Sequence, residues 1–311
     1  MAGLVLRAAA GIRTAVGKRR AGRAAPCRGS PLPGIAVFVF ALASAECAFG
    51  GATETVIKVP VEAPGTGVVT IDVTVFRPDG KGPFPLAVIN HGSPRDAAER
   101  RANGRQRFEA QSRELARRGF IVAVPTRRGY GESGGEWAEG YGPCRNPDYF
   151  ASGLESARDV RAAIAELKRD PDVDGKRVLL VGQSAGGWAA LATASQPLDG
   201  LVGVINFAGG RGSARPDEVC NDARLVEDVG RYGATSRVPQ LWLYAANDHF
   251  FPPDVARRMH ESFTRAGGRA TLRQLPPFGA DGHALFAGGT REWLPQVEPF
   301  LAELGFAPRK D

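Results

Sequence analysis

A serine flanked by glycines, in Gly182-Gln-Ser184-Ala-Gly186, directly follows the apolar run 178–181. The alanine-rich run 184–195 comes next and predicts a helix. Where a strand, a sharp turn and a helix follow one another in this way, the turn raises the serine hydroxyl clear of the backbone. The glycines let strand and helix approach closely, and the helix N-terminus offers N–H groups to a developing oxyanion. The pattern therefore predicts a nucleophilic Ser184 in preference to a plain glycine-rich turn.

A serine nucleophile needs a general base and a carboxylate that orients this base. His283 lies in a loop between the last predicted strand, 270–275, and the closing helix, and Asp248 follows the predicted strand 241–244. We predict that Ser184, Asp248 and His283 form a catalytic triad. Two alternatives remain for the carboxylate, because Asp248 could cap the following helix and Asp281 is a weaker candidate for the same role.

An oxyanion hole needs a second N–H donor besides the one that follows the nucleophile. The segment Asn90-His91-Gly92-Ser93 comes directly after a buried apolar run, and its glycine lets a backbone N–H turn toward the site. We nominate the backbone N–H groups of Ser93 and Ala185 as the two donors. His91 is expected to form hydrogen bonds within its loop and not to act as the general base.

Buried strands and amphipathic helices must position these residues. Short apolar runs occur at residues 86–90, 120–124, 178–181, 201–205 and 241–244. Helical patterns separate or follow them at residues 106–118, 152–169, 254–266 and 291–304, and an alternating pattern at 67–76 predicts a half-buried edge strand. This alternation predicts an α/β fold with a mostly parallel central sheet and helices on both faces. Chemistry in such sheets collects at the carboxyl ends of the strands.

Five segments together carry a family resemblance: His91-Gly-Ser93, Arg127-Arg-Gly-Tyr-Gly-Glu-Ser-Gly-Gly135, Gly182-Gln-Ser-Ala-Gly-Gly187, Asn247-Asp248 and Gly282-His283. They resemble the α/β-hydrolase superfamily, most closely the dienelactone-hydrolase-like enzymes and the catalytic domain of prolyl-oligopeptidase-type serine peptidases. The resemblance covers about residues 55–306. It departs from the dienelactone hydrolases at position 184, which is Ser instead of Cys, and from the peptidases because the chain has no room for their β-propeller.

The resemblance implies the α/β-hydrolase fold with a minimal lid and a hydrolysis that uses no cofactor. A serine would attack the carbonyl of a small-molecule carboxylic ester and form an acyl-enzyme, which an activated water would release. A peptidase or amidase with the same triad is the alternative. A non-catalytic binding protein on the same scaffold is a third hypothesis, disfavoured because all three triad residue types are present in the expected order.

Two long connections are expected to border the site. The connection 207–239 stands where this superfamily often carries a lid, and its length allows a short helix but no large cap. The other connection spans residues 126–151. Cys144 and Cys220 lie on these two connections and would form a disulfide in an oxidising compartment, two unrelated buried thiols being the alternative.

Several side chains on or near these connections are candidates for substrate binding. Trp137 and Phe250 could line an apolar acyl pocket, with ordinary packing as the alternative. Arg127, Arg128 and Arg211 could bind a substrate carboxylate, but we expect them to be ordinary surface arginines.

The excess positive charge belongs to the start of the chain. Lys and Arg number 40 against 33 Asp and Glu, but seven of the basic residues and none of the acidic ones precede residue 46. Residues 1–45 combine this basic stretch with the short apolar run 35–43 and small residues, the layout of an export signal. We therefore predict a leader at 1–45, a single domain at 46–311 and a secreted or periplasmic protein.

The same composition excludes several functional classes. The part of the chain after the leader has no net charge, which argues against nucleic-acid binding. No apolar run has the roughly 18 residues of a membrane-spanning helix. No cysteines and histidines are spaced as metal ligands, so we predict no metal site. The oligomeric state stays open.

Overall fold

The apolar runs of the sequence become the central strands of one large sheet in a computed structural model, which describes residues 52–94 and 96–306. The strands are β1 (Thr53–Ala63), β2 (Gly67–Arg77), β3 (Phe84–Asn90), β4 (Ile121–Thr126), β5 (Val173–Gln183), β6 (Leu201–Phe207), β7 (Ser213–Arg215), β8 (Glu218–Val219), β9 (Gln240–Ala245) and β10 (Ala270–Leu275). The helices are α1 (Ala97–Ala102), α2 (Glu109–Arg117), α3 (Tyr149–Leu167), α4 (Ala185–Ala194), α5 (Asp222–Thr235), α6 (Pro253–Arg265), α7 (Leu285–Gly288) and α8 (Thr290–Glu303).

Eight strands pair in the order β1-β2-β4-β3-β5-β6-β9-β10. The pairs β1–β2 and β2–β4 are antiparallel, and every other pair in this sheet is parallel. β5 begins before the apolar run at 178–181 because Phe84 and Pro85 of β3 pair with Val173 and Asp174. The predicted mostly parallel sheet is therefore confirmed. The expectation of a half-buried edge strand at 67–76 is wrong, because β2 lies between β1 and β4 and is buried from Ile71 to Phe76, and β1 is the strand at this edge.

Helices cover both faces of the sheet, as predicted. On one face α3, α4, α5 and α6 bury a cluster that includes Val160, Trp188, Val229 and Met259. On the other face α2, α7 and α8 bury a second cluster around Leu115 and neighbouring aromatic residues. The fold is that of the α/β hydrolases.

The register of the parallel strands brings several strand ends to one edge of the sheet. Asn90 at the end of β3 pairs with Gly182 of β5, which in turn pairs with Asn206 of β6. The loops after β3, β5, β6 and β9 therefore leave the sheet side by side, because parallel strands end in the same direction. Together with the loop after β10, they carry the residues predicted for the site.

The connection between β6 and β9 does not form a large lid over the edge of the sheet where these loops meet. Its helix α5 packs into the core against α3 and α6 through buried residues that include Leu225 and Tyr232. Its two-stranded hairpin, β7 with β8, reaches a cavity that Ser184 and Ser213 of β7 both line. A short helix and no large cap were expected here.

The predicted leader, residues 1–45, lies outside the described residues. The described residues belong to one compact unit, Phe49–Asp311. Within residues 52–94 and 96–306, no helix combines the length and apolar character that crossing a bilayer requires. Over the same residues, no group of three or more His, Cys, Asp or Glu side chains is arranged to hold a metal ion.

Candidate active site

Ser184 occupies the turn between β5 and α4 in a strained backbone conformation, with φ 56° and ψ −125°. Its N–H donates to the carbonyl of Phe207 at 3.0 Å, which holds the turn against β6. A Cβ at Gly182 would lie 2.2 Å from the carbonyl oxygen of Gly186, and one at Gly186 would lie 2.0 Å from that of Asn90. No side chain fits at either position, and this steric restriction explains why the motif has glycine at both.

Asp248 and His283 meet at the same edge of the sheet. The Nδ1 of His283 lies 3.2 Å from both carboxylate oxygens of Asp248. Asp248 is buried, and its Oδ1 also accepts the N–H groups of Phe250 and Phe251 at 2.8 and 2.9 Å. Because the Nδ1–H of His283 donates to a carboxylate, its Nε2 is left to accept a proton.

Asp281 has a different task from Asp248. Its Oδ1 accepts the backbone N–H of His283 at 2.9 Å and that of His249 at 3.1 Å. Asp281 thus caps the short 3-10 turn Gly282–Ala284 that presents His283. The imidazole of His283 stacks on the ring of Phe250, with the ring centres 3.9 Å apart.

Ser184 and His283 line one cavity of about 510 Å³ together with Gly92, Ser93 and Phe250. Among the described residues, the hydrogen bonds do not include one between the Ser184 hydroxyl and the His283 imidazole. Such bonds are often long before substrate binds and tighten in the complex. The side-chain amide of Gln183 donates to the carbonyl of His283 at 2.9 Å and so ties the two loops together.

Both nominated oxyanion donors belong to residues beside the serine. Ser93 and Ala185 line a second cavity of about 170 Å³, which also includes Ser184. A Cβ at Gly92 would lie 3.3 Å from the Cβ of Ser184, so the loop after β3 runs close to the nucleophile. The Ser93 hydroxyl lies 2.8 Å from the hydroxyl of Tyr130, which in turn donates to the carboxylate of Glu139 at 2.9 Å.

His91 is buried and fixes the loop that carries Ser93. Its Nδ1 lies 2.7 Å from the carbonyl of Gly92, and its Nε2 accepts the backbone N–H of Arg127 at 3.2 Å. Burial, reinforced by the charge of Arg127, lowers the pKa of His91 to about 3. The imidazole is neutral near pH 7. As expected it forms a hydrogen bond within its own loop, and it also joins this loop to the one after β4.

Trp137 and Phe250 both border the 170 Å³ cavity. The indole N–H of Trp137 donates to the Tyr130 hydroxyl at 3.0 Å, and the guanidinium of Arg100 lies 3.8 Å from the centre of its ring. Phe250 also borders the larger cavity and supports His283. Their roles in substrate binding stay predictions.

The expectation that three arginines are ordinary surface residues is wrong, because Arg127, Arg128 and Arg211 are at most 4% exposed. Arg127 and Arg211 both pair with the buried carboxylate of Glu139. Burial alone would raise the pKa of Glu139, but the two arginines outweigh it and hold this pKa far below its usual range. Sequence reasoning missed Glu139, and no motif around it signals its role.

A disulfide joins Cys144 to Cys220, with their Cα atoms 5.1 Å apart. It links the two long connections beside the smaller cavity, as predicted. The N–H of Cys220 donates to the carbonyl of Gly212 at 2.7 Å, and its carbonyl accepts the hydroxyl of Tyr149. Tyr141 and Gly212 line the cavity close to this link.

Comparisons with known proteins identify the family of this chain. The family model of the X-Pro dipeptidyl-peptidases (S15 family) matches residues 66–265, more than half of the chain, including Ser184 and Asp248. Dipeptidyl-peptidase 5 of Porphyromonas gingivalis is 31% identical over 106 residues, which are 34% of this chain. The chain spans 14% of the length of that curated relative.

Solved structures show the same fold. An acylaminoacyl peptidase from Pyrococcus horikoshii superposes with a TM-score of 0.61 at 19% identity and covers 84% of this chain and 43% of its own. An esterase from Pyrococcus furiosus reaches 0.56 at 15% identity, with 81% and 90% covered. A protein assigned to the dienelactone hydrolases, from Klebsiella pneumoniae, reaches 0.55 at 16% identity, with 81% and 99% covered. This chain belongs to the X-Pro dipeptidyl-peptidase (S15) family, a family of serine hydrolases, and has the α/β-hydrolase fold.

Proposed function

We propose that this protein hydrolyses carboxylic esters through an acyl-enzyme, with Ser184 as nucleophile, His283 as base and Asp248 as the carboxylate that orients His283. One observation carries the proposal: Asp248 holds the imidazole of His283 at the wall of a cavity that Ser184 also lines. The three side chains come from three separate loops, after β5, β9 and β10.

The steps of the reaction follow from the positions of these groups. The Ser184 hydroxyl attacks the ester carbonyl and passes its proton to Nε2 of His283, while Asp248 stabilises the imidazolium. The N–H groups of Ser93 and Ala185 receive the negative oxygen. The imidazolium then protonates the leaving alcohol, and a water activated by the same imidazole releases the acid. The reaction consumes an ester and a water, and no cofactor takes part.

The size of the smaller cavity supports a short acyl group. Its volume of about 170 Å³ lies below the roughly 300–1,000 Å³ that is usual for pockets that hold drug-sized ligands. The bound acyl group would lie beside Ala185, and the alcohol would leave through the larger cavity on the His283 side.

Cleavage of peptides or amides is the second candidate. The match to the X-Pro dipeptidyl-peptidase family and the likeness to dipeptidyl-peptidase 5 favour it. The same three residues would act on an amide carbonyl, with His283 protonating the leaving amine. The two candidates therefore differ in substrate and not in machinery.

A fluorophosphonate probe tests the nucleophile. We expect the probe to label the purified protein and not Ser184→Ala, with Ser195→Ala as a matched control because Ser195 lies at the far end of α4. Labelling that survives in Ser184→Ala would refute the assignment, and no labelling of the wild type would refute both enzymatic candidates.

Short-chain 4-nitrophenyl esters and X-Pro 4-nitroanilides then separate the two candidates. The ester proposal predicts the higher kcat/KM on the ester after allowance for the difference in intrinsic reactivity, measured against hydroxide hydrolysis of each compound. Faster relative cleavage of the anilides would establish the peptidase instead.

We also propose that the protein is exported. The disulfide between Cys144 and Cys220 supports this, because disulfides persist in oxidising compartments. Fractionation of cells that express the full chain, with thiol alkylation of each fraction, tests it. Recovery in the cytosol with both thiols free would contradict the proposal.

A further inference from the structure

The two cavities that meet at Ser184 differ in the groups that line them. Both include Ser93, Ser184 and Phe250. His283 lines the larger cavity, and Ala185 lines the smaller one. If Ser184 acts as proposed, the group that His283 protonates leaves through the larger cavity. The acyl substituent then occupies the smaller cavity, beside the oxyanion donors.

The smaller cavity has a buried cation in its wall. Arg211 lines it, flanked by Gly210 and Gly212, and is 4% exposed. One terminal nitrogen of Arg211 donates to Glu139 at 2.8 Å and to Ser156 at 2.6 Å. The Nε of Arg211 is buried and has no hydrogen-bond partner among the described residues. The other terminal nitrogen makes only a 3.4 Å hydrogen bond, to the backbone carbonyl of Glu139, so one of its two N–H groups stays open to an acceptor on a ligand.

Arg211 shares its carboxylate with a second cation. Arg127 and Arg211 both pair with Glu139. The neighbouring Arg128 pairs with two carboxylates, Asp159 at 2.6 Å and Glu155 at 2.9 Å. Over the whole cluster three arginines meet three carboxylates, so Arg211 would attract an anion through its open N–H groups and not through a net charge of the cluster.

The rims of the two cavities carry opposite charges. Among the described residues that line the smaller cavity there are two arginines, Arg100 and Arg211, and no carboxylate. The described lining of the larger cavity includes Asp96 and Glu99 and no lysine or arginine. The cleft is therefore lined by positive side chains on the acyl side and by negative ones on the His283 side.

We propose that the acyl group of the natural substrate carries an anionic substituent, such as the free carboxylate of a dicarboxylic acid monoester, and that Arg211 and Arg100 bind it. This inference rests on the proposed function and adds the substrate class. The carboxylate accepts hydrogen bonds from the guanidinium of Arg211 inside the cavity, and Arg100 adds positive charge at the rim.

Two matched esters test this in the wild-type protein. The 4-nitrophenyl monoester of glutaric acid ends in a carboxylate, and the corresponding ester of glutaric acid monoamide ends in a neutral group of the same size. Both release the same alcohol, and the uncatalysed rate of each is subtracted. We expect kcat/KM to be about 10- to 100-fold higher for the carboxylate, the usual range for a hydrogen bond to a charged group. Equal values, or a preference for the amide, would overturn the proposal.

Substitutions of single arginines show which residues cause the preference for the carboxylate. Arg211→Gln is expected to abolish the preference for the carboxylate, and Arg100→Gln, which leaves the buried network intact, to reduce it. Arg177→Gln is the matched control, because Arg177 also packs over an aromatic ring, Phe306 at 4.5 Å, on another part of the protein. A preference that survives in the Arg211 and Arg100 variants would overturn the proposal.

Labelling by the fluorophosphonate probe distinguishes failure of this inference from failure of the proposed function. If Ser184 is labelled and the carboxylate ester is not hydrolysed faster than the amide, the inference about the acyl group fails while the serine hydrolase stands. If Ser184 is not labelled and neither ester is hydrolysed, the proposed function itself has failed.

Discussion

The neutral imidazole of His91 makes the stability of this protein sensitive to acid. His91 is 2% exposed, and burial together with Arg127 lowers its pKa from 6.5 to about 3. Between these two values the unfolded chain binds a proton that the folded protein does not, so the free energy of unfolding falls as pH decreases below about 6.5. Each pH unit in this window costs about 1.4 kcal/mol. From pH 7 to pH 4.5 the loss from this one group is about 2.5 kcal/mol.

Urea unfolding at pH 7, 5.5 and 4.5 measures this loss. The comparison is with His91→Gln, which keeps a hydrogen-bonding side chain but has no group that titrates in this range. We expect the wild type to lose about 2.5 kcal/mol more than the variant between pH 7 and 4.5, since the other titrating groups are common to both proteins. Parallel pH dependences would refute the reasoning, because they would mean that His91 is not held neutral by its surroundings.

Three further substitutions probe the site and its supports. Asp248→Asn is expected to lower kcat for ester hydrolysis by about 10³- to 10⁴-fold with little change in melting temperature; an unchanged kcat would remove Asp248 from the triad. Glu139→Gln leaves two buried arginines without their carboxylate and is expected to lower the free energy of unfolding by about 3–5 kcal/mol, measured by urea unfolding; a loss below 1 kcal/mol would contradict this. Replacing Cys144 and Cys220 together with Ser is expected to cost about 2–4 kcal/mol, and the wild type treated with reductant should match the double variant. Equal stability with and without the bond would show that the link contributes nothing.

The local features of this protein could be predicted from its sequence because they depend on residues close together in the chain. The apolar run at 178–181, the glycines around Ser184 and the alanine-rich segment after it define a strand, a turn and a helix by short-range sterics and burial. The same holds for the strand before His91 and for the parallel order of the sheet, which follows from the alternation of strands and helices.

Pairings between distant residues needed the tertiary structure. Arg127 pairs with Glu139 across 12 residues and Arg211 pairs with the same carboxylate across 72. An arginine is ordinarily a surface residue, because burying its charge carries a large desolvation penalty. A carboxylate that the fold brings close to the guanidinium offsets this penalty. The sequence contains the arginines and the carboxylate, but it does not show that they lie close together in the fold. Sequence reasoning therefore predicts that these arginines are exposed.

The amino-acid sequence is enough to predict the class of fold and the candidates for nucleophile, base and orienting carboxylate. Which carboxylate faces His283 follows only from the folded chain, where Asp248 contacts the imidazole and Asp281 caps its turn. The same is true of the two cavities that meet at Ser184, one lined by arginines and the other by carboxylates. The reason is physical: backbone preferences and burial act over a few residues, whereas the electrostatics of a cleft is a sum over side chains from distant loops.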